Sequence, residues 1–158
     1  MKKPASLRTA LTAAVPHLKR NPDALHIFLD EGRIISTAAP SLSFEYQYVL
    51  NVIVTDYSDH ADTLIVPILG WLRRNQIELL LNPERGRDGF RFEADILNHT
   101  TLDLSIKLTL TERVGVTENE GKLTVTHFDE PPLDALEGVE HWQLFVKGEL
   151  VSEWSEKA

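Results

Sequence analysis

From Ser43 to Arg74 the chain reads SFEYQYVLNVIVTDYSDHADTLIVPILGWLRR, a long alternating segment followed at once by one of helical periodicity. Phe44, Tyr46, Tyr48, Leu50, Val52 and Val54 recur at every second position, so in an extended chain they share one face. Leu64, Ile65, Ile68, Trp71 and Leu72 recur at the spacing of a helix stripe. A strand of that length with one apolar face needs a cover, and the following helix is the nearest candidate. The pair reads as scaffold, since no catalytic motif lies within it.

The remaining elements follow from the same two periods. Leu7, Ala10, Leu11, Ala14 and Val15 form an amino-terminal helix stripe, opened near Pro4 and stopped by Pro16. Leu25, Ile27 and Leu29 alternate up to Asp30-Glu31-Gly32-Arg33, where Gly32 is expected to supply a positive φ for a tight turn into Ile34-Ile35. Residues Ala38 to Ser41 form a loop before the long strand. Asp56, Ser58, Asp59 and Asp62 mark a turn and helix start, because short oxygen-bearing side chains accept hydrogen bonds from first-turn amides. Pro67 should either kink that helix, which runs to about Gln76, or stand near its true beginning.

Leu81 to Gly89 is expected to be a polar connector. Phe90, Phe92, Ala94 and Ile96 then share a face, and Asn98-His99-Thr100 turns the chain into Leu102, Leu104, Ile106, Leu108 and Leu110. This predicts an antiparallel hairpin whose wet face carries Arg91, Glu93, Asp95, Asp103, Ser105, Lys107 and Thr109. Lys122 to Phe128 adds a strand that Pro131-Pro132 ends. Glu140 to Trp154 reads as two strands joined at Lys147-Gly148-Glu149-Leu150, with Gly148 at the first central position of a primed turn.

The expected fold is therefore α+β: a mainly antiparallel sheet with two packed helices in a core domain over residues 1–132. A hairpin over 139–158 is set apart by a stretch rich in Pro, Asp, Glu and Gly at 129–138. Too small to fold alone, it must pack on its own body or on a neighbour, and it could serve as an interaction arm of the same domain. Trp142, Phe145 and Trp154 are its large anchors.

Composition narrows the function classes. At 158 residues one domain with an adequate core is expected. Absent cysteine excludes thiol catalysis, thiolate metal sites and disulfides. The longest apolar run, Leu64 to Leu72, falls short of the roughly 20 residues of a bilayer-spanning helix and contains Pro67, so a soluble chain is expected. The opening lysines and small residues resemble a signal peptide, but Arg8 breaks the apolar stretch and an amphipathic helix is the better reading. A net charge of −8 disfavours sequence-specific or phosphate-gripping nucleic-acid binding. Arg73/Arg74 and Arg85/Arg87 cluster among acids and read first as solvated surface. Arg85 and Arg87 nevertheless project from a loop of an acidic protein and could steer docking to an acidic partner.

Candidate chemistry is thin. Asp56, Asp59, His60 and Asp62 have the composition of a divalent-ion site but neither EF-hand nor zincin spacing, and a helix start explains them. His99, His127 and His141 are scattered over turns and strands. No carboxylate pair stands apart from the wet faces, and there is no nucleophile elbow, dinucleotide fingerprint or phosphate loop. The glycines in Asn82 to Gly89 follow a helix and precede a strand, the wrong order for cradling phosphate. No catalytic, cofactor or metal residue is assigned, and no enzyme is expected.

The segments SFEYQYVLNVIVTDY, VPILGWLRRNQ, LLNPE, FRFEADILN, LTLTERV and HFDEPP occur in an order and spacing that resembles the tail completion protein R (GpR) family of contractile-tailed bacteriophages. The resemblance covers nearly the whole chain and consists of structural residues. It implies a virion protein, assembled in the host cytoplasm, that finishes the head-proximal end of the tail so that a head can join. By similarity to tail terminators it also implies a tail-terminator-like fold and a homo-oligomeric ring, six-fold as the leading expectation, meeting tube, sheath and head-neck proteins. The alternatives are a tail assembly chaperone or length-control factor outside the virion, and a hydrolase with an unrecognised site around Asp56 to Asp62.

Overall fold

The computed structural model describes residues 1–36, 40–98, 100–131 and 141–155. Within them the chain forms α1 (Lys3–Ala14), α2 (Pro16–Arg20), a 3-10 turn (Pro22–Ala24), β1 (Leu25–Ser36), β2 (Phe44–Tyr57), α3 (Asp62–Asn75), α4 (Ile77–Leu81), α5 (Pro83–Gly89), β3 (Phe90–Ile96), β4 (Leu102–Asn119), β5 (Lys122–His127), β6 (His141–Val146) and β7 (Glu149–Ser155). Five strands make one antiparallel sheet in the order β1-β2-β4-β3, with β5 also on β4; β6 and β7 pair separately.

Two long strands carry the fold. In β2, Tyr48, Leu50, Val52 and Val54 are buried, and the register sets them against Leu110, Leu108, Ile106 and Leu104 of β4. Helix α1 brings Leu7, Leu11 and Ala14 to this face, and α3 brings Leu64, Ile68, Trp71 and Leu72. Burying each such leucine or isoleucine contributes about 1.5–3 kcal/mol. The Trp71 indole N–H donates to Ser6 Oγ at 3.0 Å, tying the two helices together.

The two-helix expectation is wrong: among the described residues there are five α-helices and a 3-10 turn. Pro16 ends α1 because it cannot donate to the preceding turn, yet it opens α2, since a first helical position needs no amide. The expected polar connector is instead α4 and α5. Asn82 Oδ1 accepts from the amides of Glu84 and Arg85, and Pro83 fills the first position, so a capped helix start overrides Gly86 in its interior and Gly89 at its last position.

Three local expectations also change, and the open place of Pro67 is settled. Gly32 makes no turn: Leu25–Ser36 is one strand with a bulge between Leu29 and Glu31, and the slip explains why Ile27 and Leu29 alternate in one phase and Ile34 in the other. Pro67 lies inside α3 and is buried. Helix α3 has no side-chain cap; it starts after Ala61, the Thr63 hydroxyl donates to the His60 carbonyl at 2.6 Å, and Asp56 instead takes a positive φ of 53°. Positive φ at both Lys147 and Gly148 puts the glycine second in the β6–β7 turn. Thr37 to Ala39, His99 and residues 132–140 lie outside the described residues, and with them parts of the expected loop, turn and chain break.

Candidate functional site

A polar cluster lies where the start of α1 meets Tyr48 of β2 and Glu112 of β4. Helix α1 has no side-chain cap of its own. Glu112 of β4 supplies one: its carboxylate accepts the Lys2 N–H at 2.7 Å, the Lys3 N–H at 3.2 Å and the Tyr48 hydroxyl at 2.5 Å. A negative group at a helix amino terminus satisfies free amides and opposes the dipole. Burial alone would raise the Glu112 carboxyl; the Tyr48 hydroxyl and two backbone amides overcome it and hold the group below its ordinary value.

Lys3 is itself buried, and desolvation lowers its ammonium pKa against the opposing pull of Glu130 and Glu112. Its Nζ donates to Gln76 Oε1 at 2.7 Å and to Glu130 Oε1 at 2.9 Å. Gln76 Oε1 also accepts the Thr111 amide at 3.0 Å, while its Nε2 donates to Thr111 Oγ1. A side chain thus takes over a β4 backbone group between the stretches paired to β3 and β5. The His127 Nδ1 atom is buried without a hydrogen-bond partner, 3.8 Å from Glu112. The cluster is built to hold α1 in place, because every Glu112 bond goes to a structural donor.

Elsewhere the residues singled out from sequence disperse. Asp59, His60 and Asp62 are exposed, with His60 Nδ1 3.2 Å from the Asp62 carboxylate, and no group of three metal-ligating side chains occurs among the described residues. Tyr57 beneath them bonds Thr63, and burial pushes its hydroxyl up to about 12. Arg85 pairs with Glu78 at 2.7 Å, and Arg87 is exposed in the last turn of α5. Trp154 is 8% exposed and belongs to the core, with Trp142 stacked on it at 6.4 Å. Phe145 is 55% exposed. The Ser152 hydroxyl donates to the Ala14 carbonyl, so the inner side of the β6–β7 hairpin is fastened to the end of α1.

Exposed apolar surface is concentrated where sequence reading expected a core. Phe92 and Ile96 of β3 lie on the face shared with Ile106 and Leu102, yet are 64% and 82% exposed. Beyond the sheet body, β4 and β5 continue as a ribbon turned at Glu120-Gly121, with Leu123, Val125 and Phe128 exposed. The Phe128 ring lies over Gly115, where a side chain would collide with it. No helix among the described residues is long and apolar enough to cross a membrane. Alternation showed which residues share a face; nothing in the local pattern marked which part of that face the helices leave bare.

Comparison with known proteins places these surfaces in context. The family model described as P2 phage tail completion protein R (GpR) matches residues 1–131. The tail completion protein R of Escherichia phage P2 is 53% identical over 157 residues, covering 99% of this chain and all of the relative. No solved structure matches.

Proposed function

The chain belongs to the phage tail completion protein R (GpR) family, and from that membership we propose that it completes the tail by capping its head-proximal end, preparing it for head joining. It is a structural protein of the phage tail; the family is one of tail completion, not of enzymes. The observation that carries the reading is the end-to-end match to a tail completion protein. A cap works by occupying an end and presenting a new surface, and bare apolar strands suit that better than a cleft would.

Within this role the chain acts as a homo-oligomeric ring between tube or sheath and the neck proteins. The outward side of the C-terminal hairpin, through Phe145, and the Arg85/Arg87 turn are its contacts with those neighbours. Trp142 and Trp154 hold the hairpin from the inner side.

Phage produced without this protein should accumulate DNA-filled heads beside unjoined tails, unfinished or of uncontrolled length. Purified protein added to such an extract should restore infectivity in proportion to the number of tails. Full restoration by clearly substoichiometric amounts would point to a recycled chaperone and defeat the capping role.

A further inference from the structure

We propose that subunits join by continuing the sheet, the β3 edge of one copy pairing antiparallel with the β1 edge of the next. This rests on the ring reading above and names the surface that would build it. Along β1-β2-β4-β3 every pairing is antiparallel, so the two outer strands run in opposite directions. Setting a second copy beside the first in the same orientation therefore keeps the alternation and keeps both helix-bearing faces on one side. Such a contact is heterologous, and repeated with a rotation it closes a ring.

Both edges are suited to it. Bare edge strands are usually shortened, bulged or covered. Strand β3 pairs with β4 without a register shift and carries no proline. On the helix side it offers Phe92, Ala94 and Ile96, while β1 beyond its bulge offers Gly32 and the exposed Ile34. Aligning Phe92 with Ile34 gives an aromatic and β-branched cross-strand pair, and the same register sets Glu93 beside Arg33 on the opposite face. Asp95 then falls opposite Glu31, a like-charge pair that costs stability, and Arg33, diagonal to Asp95, offsets it. Glu93 is exposed and holds Lys107 only loosely, at 3.9 Å. The occupant of the β3 edge is therefore a second copy, selected by the Glu93–Arg33 pair on one face and apolar fit on the other.

Absence of cysteine makes the test direct. Within one subunit β1 and β3 are three strand spacings apart, about 14 Å, beyond the roughly 4.4–6.8 Å that a disulfide spans between Cα atoms. Arg33→Cys and Glu93→Cys, each made alone and mixed under oxidation, should give a cross-linked dimer only in the mixture. The double variant should give a ladder, in concentrated purified protein or in assembled tails. Oligomers that form without this cross-link would overturn the edge pairing and leave the ring intact. A protein monomeric in solution and single-copy in tails would overturn both. As a second arm, Phe92→Asp with Ile96→Asp should leave a cooperatively folded chain, its melting temperature lowered by no more than about 8 °C, and weaken self-association at least tenfold; an oligomer as tight as the parent's would equally overturn the proposal.

Discussion

β4 has a neighbour on each side with the same alternating pattern, and the two meet opposite fates. Against β2 its leucines and isoleucine are sealed beneath α1 and α3, while β3, aligned through Phe92 with Ile106, stands in solvent. The residue types are alike on both sides. What differs is the cover: the core residues of β2 and β4 pack with those of α1 and α3, while β3 beyond Phe90 is exposed. A buried strand and an interaction strand can therefore carry one signature, and only the third dimension separates them.

The sharpest test of this contrast is a pair of truncations. Leu108→Ala should cost about 2–5 kcal/mol in urea unfolding, as a filled core site does, whereas Phe92→Ala should cost about 1 kcal/mol or less, the scale of a cross-strand pair. Equal losses would mean that β3 is covered after all.

The covered side is also held by a polar clamp, and acid should loosen it. The Glu112 carboxyl is held below its ordinary value near 4.5, so its contribution is present above that pH and lost as the pH falls below it. Glu112→Gln should destabilise by about 1.5–3 kcal/mol near neutrality, the range for hydrogen bonds to a charged group. The gap between parent and variant should close on acidification; a gap independent of pH would sink the clamp.

At the seam between the two regions, a side chain on Gly89 would collide with Leu79. Gly89→Ala should cost about 1–3 kcal/mol by thermal unfolding, as overpacking does, and no change would show that Leu79 can move aside. The smallest effect belongs to the exposed turn: Arg85→Glu with Arg87→Glu should alter stability by about 0.5 kcal/mol or less, yet slow incorporation into tails at low salt. Unchanged incorporation there would return the turn to plain surface.

Legibility followed sequence distance. β2 and β4 could be read because period two states a face without help from elsewhere. Helices α4 and α5 are hard to read because Gly86 and Gly89 argue for a loop, against the cap signal of Asn82-Pro83-Glu84. The bulge in β1 shows only as a phase slip after Leu29. Glu112 gave no sign of its role, since it sits in a wet-looking TER triplet and its partners lie at Tyr48 and at the chain start. The exposure of Phe92 was illegible for the same reason: cover is a long-range property. The family resemblance spans these gaps because it rests on many segments at once, LTLTERV with Glu112 among them.

Both ends of α1 are finished by residues made much later, Glu112 at its start and Ser152 at its close. Synthesis delivers this helix before the strands that finish it, so its amides and carbonyls must wait for their partners. The expectation is that α1 locks down last, after the β2–β4 pairing, because contacts this distant in sequence form slowly. Pulse-labelled hydrogen exchange during refolding would show its amides protected after those of β4. Protection of α1 ahead of β4 would reverse the order. Until that final step the apolar stripe of Leu7 and Leu11 has nowhere to rest, making the newborn chain, more than the finished one, the form most prone to stick to its surroundings.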